Sequence, residues 1–236
     1  MPFKYLRSPV KLSAPRGIKK GEQRVERIEI KRQLFHGLVG ILFVAFLGTM
    51  KKIGSRFPLN TIYFLPPLSR TLLLTLIGGG TLVLLCKKYE IPGIEWLLKN
   101  LERPVTRREF PGKGAFFYAL GAFILSLFLE KSIVSASMLI LSVGDSSSHI
   151  IGKELGRIKH PFSKTKNIEG NIAGALLGGI GASIFVVPAF TFTAAFLSMF
   201  VEGIDFRGKA KKILDDNLTV PIISGAVIIV SRTVFS

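Results

Sequence analysis

The chain has 236 residues, a formal net charge of +17 and an apolar fraction of 48%, with a mean hydropathy of +0.45. Charged residues make up only 20% of the chain and occur in bursts between long apolar runs, which excludes an ordinary soluble domain and indicates a membrane protein. Because no nucleic-acid-binding motif accompanies the excess of basic residues, we expect no nucleic-acid partner and assign the charge to contacts with anionic lipid headgroups and nucleotide phosphates.

Seven apolar runs follow one another after residues 1–28, a basic segment with prolines and glycines. We expect that segment to be a flexible arm on the membrane surface, in contact with anionic headgroups. Each run is near the length that a helix needs to cross a bilayer, about 20 residues. Pro188 separates the fifth run from the sixth and predicts a tight hairpin; one long kinked helix is the alternative. The runs are 34–49, 67–86, 114–129, 132–150, 172–187, 189–201 and 218–235.

The basic residues between these runs predict their orientation. With the N-terminus in the cytosol, 26 of the 32 lysines and arginines fall on the cytosolic side, before the first run or in the loops 87–113, 151–170 and 203–217. Only Glu130 of the 15 acidic residues falls on the other side. The positive-inside rule therefore favours seven spans. We predict an all-α, polytopic transmembrane helix bundle over residues 29–236, with its functional groups on the cytosolic face.

Between the second and third runs, residues 91–101 carry apolar side chains at helical spacing around Trp96. Basic clusters lie on both sides of this stretch. The pattern predicts an interfacial helix on the inner leaflet, with Trp96 as an anchor at headgroup level.

The segment 141–170 carries the charged groups best suited to chemistry. Asp145 lies near the end of an apolar run, where a charge is costly unless it binds an ion or pairs with a neighbouring lysine. Glycines and basic residues follow on the cytosolic side; glycine lets a backbone approach phosphate closely, and lysine and arginine neutralise it. These residues are Gly152, Lys153, Gly156, Arg157, Lys159, Lys164 and Lys166, and then Glu169 and Gly170.

Further polar residues lie at the ends of other runs. Asp215, Asp216 and Asn217 precede the seventh run, and capping of a helix would account for only one of the three. Glu202 ends the sixth run, either as a solvated carboxylate or as an acidic group of a site. His36 lies near the start of the first run, either as a hydrogen-bonded core residue or as a functional base.

Phosphoryl transfer needs carboxylates for Mg²⁺, cations for the phosphates and a base or orienting group for the acceptor hydroxyl, and all three kinds of residue are present on one face. The sequence contains neither a Walker GxxxxGK[ST] loop nor the HRD and DFG signatures of protein kinases. A small transporter is the non-enzymatic alternative, because Asp145 and His149 within a span would suit a proton or ion relay.

Five short motifs extend from Glu29 to Pro221, over nearly all of the chain beyond the basic arm. In chain order they read E-x-K-R-x-x-x-H, P-G-K-G, G-D-S-x-x-x-x-x-G-K-x-x-G-R-x-K, K-x-x-E-G and D-D-N-L-T-V-P. Together they resemble the dolichol kinase family, whose relatives include phytol kinases and CTP-dependent diacylglycerol kinases. The extra spans of the large eukaryotic members are lacking, which leaves the lipid substrate open.

The resemblance implies an integral membrane enzyme that transfers the γ-phosphoryl group of CTP to a lipid alcohol, for which we favour dolichol or another polyprenol. We assign catalytic roles to Asp145, Asp216 and His36, the last as one candidate base beside the carboxylates. We expect Mg²⁺ on Asp145 and Asp216, with Glu169 and Asp215 in support. The nucleotide is expected to contact Lys113, Gly144, Ser146, Gly152, Lys153, Gly156, Arg157, Lys164, Lys166, Glu169, Gly170 and Asn217.

Phosphatidate cytidylyltransferases, to which this family is distantly similar, supply the second hypothesis. Their signature has a K-D-x-x-[GSA] stretch followed by H-G-G and D-R. Here Gly144 precedes Asp145, and no H-G-G or D-R pair follows. Nucleotidyl transfer from CTP to a phospholipid precursor is therefore the alternative to phosphoryl transfer, and a homodimer is left open.

Overall fold

The computed structural model describes residues 20–54, 65–89, 91–102, 104–205 and 215–235. Most of the predicted basic arm and of the predicted loop 203–217 lies outside these ranges. Within them the secondary structure is helical apart from one isolated bridge, which confirms the all-α class. The helices are α1 (Lys20–Gly54), α2 (Pro67–Lys88), α3 (Ile94–Leu101), α4 (Pro104–Glu109), α5 (Lys113–Phe128), α6 (Lys131–Leu139), α7 (Ser146–Glu154), α8 (Ile168–Ala182), α9 (Pro188–Glu202) and α10 (Asp216–Phe235), with a π-helical turn (Ile140–Asp145) between α6 and α7.

Three helical segments in the described part of the chain are long and apolar enough to cross a membrane: Glu29–Thr49, Pro67–Cys86 and Asp216–Phe235. Helices α5 and α9 are apolar but shorter. The chain is therefore a helical membrane protein. The count of seven spans and the cytosolic N-terminus stay predictions.

The fifth and sixth apolar runs form two separate helices rather than one kinked helix. Helix α8 ends at Ala182, earlier than the apolar run, and α9 begins at Pro188, where the missing N–H of proline costs no helical hydrogen bond. Contacts at both ends show that the two helices pack antiparallel. Near the turn, the hydroxyl groups of Ser183 and Thr191 share a hydrogen bond of 2.9 Å. At the other end, the side-chain amide of Asn171 donates to the carbonyl of Met199 at 2.9 Å.

The fourth apolar run is interrupted by the π-helical turn that ends at Asp145. A π turn contains an extra residue and rotates the side chains that follow it relative to an uninterrupted α-helix. As a result Asp145 lies beside the end of α9, while the hydroxyl of Ser146 donates to the carbonyl of Gln33 in α1 at 2.9 Å. This turn sets the direction of the acidic side chain that the sequence singles out.

Glycines allow close backbone contact between α8 and the segment formed by the π-helical turn and α7. A Cβ atom added at Gly170 would lie 2.5 Å from the carbonyl oxygen of Ser148, and one added at Gly174 would lie 2.6 Å from that of Gly144. Side chains at these positions would force the helices apart. The glycines of α2 differ, because a Cβ atom at Gly78 would meet no described atom within 4 Å.

The predicted interfacial helix is present as α3. It begins at Ile94, after Gly93 adopts a φ of 85°, and its Trp96 side chain is 65% exposed. The amphipathic helix is thereby confirmed, and its position on a leaflet stays a prediction.

Candidate functional site

Three potential metal ligands meet where α7 begins and α9 ends. Asp145, His149 and Glu202 each offer a ligand atom, and these atoms all lie within 4.8 Å of one another. His149 follows Asp145 by one helical turn, and its Nε2 lies 3.4 Å from Oδ1 of Asp145. Asp145 is 9% exposed and Glu202 only 3%. Two carboxylates from different helices are therefore buried together beside an imidazole.

Lys166 supplies the positive charge for this acidic group. Its ammonium contacts both the carboxylate and the backbone carbonyl of Glu202 and lies 3.7 Å from Oδ2 of Asp216. Burial disfavours the charged ammonium, but the carboxylates of Glu202 and Asp216 outweigh burial and raise the pKa of Lys166. Lys166 is therefore a charged link between the loop after α7, the end of α9 and the start of α10.

Two carboxylate oxygens in this group have no hydrogen-bond partner among the described residues. Oδ1 of Asp145 and Oε2 of Glu202 are both buried without a hydrogen bond. A buried polar atom without a partner is costly, so such a pair commonly marks the place of an ion or ligand. Carboxylate oxygens are preferred ligands of Mg²⁺. The donor set of Asp145 and Glu202 therefore fits a divalent cation.

The three polar residues at the start of the last helix differ in their contacts. Oδ1 of Asp215 accepts hydrogen bonds from the backbone and side-chain amides of Asn217, at 3.2 and 2.9 Å, and so caps α10. Oδ2 of Asp215 pairs with Lys113 at 3.0 Å. Asp216 makes no such cap; its half-exposed side chain faces Lys166. Asp215 thus supplies the cap and Asn217 bonds to it, whereas Asp216 lies outside the cap.

Glu169 orders the loop between α7 and α8. Its Oε1 accepts hydrogen bonds from the backbone N–H groups of Arg157 at 2.9 Å and Ile158 at 3.0 Å. A bridge between Lys159 and Asn167 closes the same loop. Glu169 thus lies outside the Asp145–His149–Glu202 group, and its predicted part in metal binding stays a prediction.

The remaining predicted basic ligands lie on the surface of this loop and of the last turn of α7. Lys153, Arg157 and Lys164 are exposed. The backbone N–H of Lys164 donates to Oδ2 of Asp205 at 2.9 Å, which ties the loop to the segment after α9. Exposed cations on an ordered loop suit a polyphosphate, and their contact with a nucleotide stays a prediction.

Five residues predicted to contact the nucleotide have packing contacts of their own. The hydroxyl of Ser146 donates a hydrogen bond to the backbone carbonyl of Gln33 in α1. Added Cβ atoms at the four predicted glycines would meet neighbouring backbone or side-chain atoms, so packing alone accounts for glycine there. Their nucleotide contacts stay predictions: Gly144, Ser146, Gly152, Gly156 and Gly170.

His36 lies inside the bundle, near the acidic group. Its ring contacts Tyr118 edge to face at a centroid distance of 5.8 Å, and it is close enough to Asp145 to interact with that charge. Its Nε2 atom is buried without a hydrogen-bond partner in the described part of the chain. The position is compatible with a base, and that role stays a prediction.

Sequence reasoning assigned no metal role to His149 or Glu202. The spacing D-x-x-x-H on one helix face is a signal for His149, since residues four apart lie on the same side. For Glu202 the signal was an acidic residue at the end of an apolar run. Its interpretation as a solvated carboxylate is wrong, because the residue is buried and paired with Lys166.

Fold and site together define a helical membrane protein with a buried, lysine-compensated acidic group that fits a divalent cation. The chain is 33% identical over 203 residues to an uncharacterized protein of Methanocaldococcus jannaschii, across 85% of this chain and 92% of that protein. It is 22% identical over 220 residues to CTP-dependent diacylglycerol kinase 1 of Schizosaccharomyces pombe, across 85% and 92%. It is also 30% identical over 147 residues to probable phytol kinase 3, chloroplastic, of Glycine max, across 55% and 44%.

The chain belongs to the CTP-dependent lipid kinase family, which confirms the resemblance seen in its motifs. No protein-family model matches the chain, and no solved structure matches it significantly.

Proposed function

We propose that the chain is a CTP-dependent kinase that phosphorylates a membrane lipid alcohol, dolichol or another polyprenol, to its monophosphate. The observation that carries the proposal is the buried group of Asp145, His149 and Glu202, with two carboxylate oxygens that lack a hydrogen-bond partner among the described residues. The relatives support it, because two of them are named as kinases of lipids and one of these as CTP-dependent.

The proposed reaction is a single displacement at phosphorus. The hydroxyl oxygen of the lipid forms a bond to the γ-phosphorus of CTP, and the bond from that phosphorus to the β–γ bridging oxygen breaks. CDP leaves with the bond's electron pair, and the hydroxyl proton passes to a base, for which His36 and the site carboxylates are the candidates. Such transfers depend mainly on positioning and on neutralising phosphate charge, and the carboxylates and cations of the site support the proposal in both respects.

Asp145 and Glu202 are the residues that would hold Mg²⁺, with Asp216 on the other side of Lys166. The cation, when bound, would neutralise the charge of the CTP phosphates. The exposed cations Lys153, in the last turn of α7, and Arg157, in the ordered loop after it, would bind the same phosphates. Glu169 and Asp215 would support the site indirectly, by ordering the loop and by capping α10 and pairing with Lys113.

The proposal includes seven spans, with the N-terminus, the basic arm and the site in the cytosol. The support is the predominance of basic residues on one side. Cysteines introduced at Ser13 and Ser236 should then react with a membrane-impermeant reagent from opposite sides of the membrane. Equal protection of both positions in intact cells rejects an odd number of spans.

The purified chain in detergent should release one CDP for each lipid monophosphate formed when CTP, Mg²⁺ and a polyprenol are present. Removal of the cation with a chelator should stop the release. In competition at a fixed CTP concentration, the polyprenol should be phosphorylated ahead of diacylglycerol, phytol and geranylgeraniol.

Other products of this assay would identify a different function. Pyrophosphate in place of CDP contradicts the kinase and favours a cytidylyltransferase. Absence of any nucleotide product, together with ion movement in sealed vesicles, favours the transporter. Preference for another alcohol corrects the substrate and leaves the reaction class in place.

A further inference from the structure

The buried side of α1 ends in two polar residues beside the acidic group. Gln33 is 1% exposed, and its Nε2 atom has no hydrogen-bond partner among the described residues. The same is true of Nε2 of His36, three residues later. Further along the same side of the helix the buried residues are apolar: Val44 and Leu47. The polar atoms are thus confined to the end of α1 that faces the site.

Two contacts bring the backbone of α1 near Gln33 close to the start of α7. The carbonyl oxygen of Gln33 accepts a hydrogen bond of 2.9 Å from the hydroxyl of Ser146, the residue that follows Asp145. A Cβ atom added at Gly37 would lie 3.1 Å from that same hydroxyl, so α1 approaches the start of α7 closely. Gln33, His36 and Asp145 therefore lie along one junction between α1 and α7, and each has a buried side-chain atom without a hydrogen-bond partner among the described residues.

The described part of the chain offers no packing reason for glutamine at this position. A buried amide without a hydrogen bond costs free energy, and an apolar side chain of similar size would avoid that cost. The amide is neutral, whereas the cations that suit a polyphosphate lie on the loop after α7. A neutral polar ligand group therefore matches Gln33 better than a phosphate does.

One side of the junction between α1 and α7 is formed by a helix with an apolar, exposed surface. Segment Glu29–Thr49 of α1 is one of the candidate spans, and the neighbours of Gln33 on its outer side are exposed and apolar, with Leu34 at 59% and Leu38 at 56%. A ligand that enters the junction from this side comes from the hydrocarbon region. Its polar group would have to be small and uncharged, as the hydroxyl of a lipid alcohol is.

We propose that Gln33 binds the hydroxyl group of the lipid alcohol, its side-chain amide donating a hydrogen bond to the hydroxyl oxygen beside Asp145. The proposal rests on the proposed function for the identity of the ligand and adds where the acceptor binds. The amide would hold the oxygen in position for attack, while the proton of the hydroxyl stays free to reach a base.

The test compares wild type with Gln33→Met, which keeps the size of the side chain and removes its donors. Because the variant also removes a buried unpartnered amide, its melting temperature in detergent should be equal or higher. Its KM for geranylgeraniol or a polyprenol should rise about tenfold, the effect of one lost hydrogen bond to a ligand, while its KM for CTP changes less than about twofold.

A direct binding measurement separates this proposal from the proposed reaction. Geranylgeraniol binding without CTP should be clear for wild type and weakened about tenfold for Gln33→Met, whether or not CDP is released. Ser137→Ala is the matched control, since Ser137 is equally buried and its hydroxyl also lacks a described partner, but it lies beside Gly225. Equal binding by wild type and Gln33→Met, no binding by wild type, or a parallel loss with Ser137→Ala would each overturn the assignment.

Discussion

Replacement of Asp145 by asparagine should abolish CTP-dependent phosphorylation while the fold is kept. The substitution preserves the shape of the side chain but removes the charge of a buried carboxylate whose Oδ1 faces His149 and has no other described partner. Loss of one ligand to a cation or to the developing charge commonly lowers the rate about a hundredfold or more. The measurement is the initial rate of CDP release by the purified variant, beside its melting temperature.

The melting temperature of Asp145→Asn should not fall. Three carboxylates, Asp145, Glu202 and Asp216, surround the single ammonium of Lys166, so neutralising one of them relieves like-charge repulsion. Glu154→Gln is the matched control, because Glu154 lies at the end of the same helix but is exposed and outside the acidic group. Near-normal activity of folded Asp145→Asn would show that the carboxylate is structural.

Replacement of Lys166 by methionine should destabilise the protein strongly. Glu202 would then be left buried without its cation, and breaking a buried ion pair from one side costs about 3 to 5 kcal/mol. The double variant Lys166→Met/Glu202→Gln should recover most of that loss, since it leaves no unpaired buried charge between those two positions. Unfolding by denaturant in mixed micelles would measure both variants against wild type.

A surface lysine of the same loop provides the comparison for this experiment. Lys159 is exposed, and its ammonium reaches only a backbone carbonyl, that of Thr165 at 3.4 Å, among the contacts described. Lys159→Met should therefore change the free energy of unfolding by less than about 0.5 kcal/mol. If Lys166→Met is as stable as Lys159→Met, or if the double variant recovers nothing, the pair does not stabilise the fold. Activity should be low in both Lys166 variants, because the acidic group is altered in each.

The acidic group joins parts of the chain that must all be in place for chemistry. Lys166 comes from the loop that carries the exposed cations, Glu202 from the end of α9 and Asp216 from the start of α10. A nucleotide that contacts the loop would therefore be linked to the carboxylates through one side chain. The two predictions separate these roles, since Asp145→Asn is expected to affect rate and Lys166→Met to affect stability as well.

The sequence by itself was sufficient for the helical membrane class, the family and the break at Pro188. These depend on local properties, namely the length of apolar runs, the restrictions of proline and motifs whose residues are close together in the chain. The cap at Asp215 is local in the same sense, because its partner Asn217 is two residues away. Each could be predicted without knowing how any helix is rotated.

The partners within the site were decided by tertiary structure. Glu202 meets Lys166 across 36 residues, and Ser146 meets Gln33 across 113. Which face of a helix turns inward depends on all its neighbours, and the π-helical turn before Asp145 adds a rotation that a regular 3.6-residue period does not contain. The glycines illustrate the same limit of prediction from sequence. In sequence they suit a phosphate or a helix contact equally. Only the tertiary structure, in which Gly170 approaches the backbone of Ser148, shows the close packing.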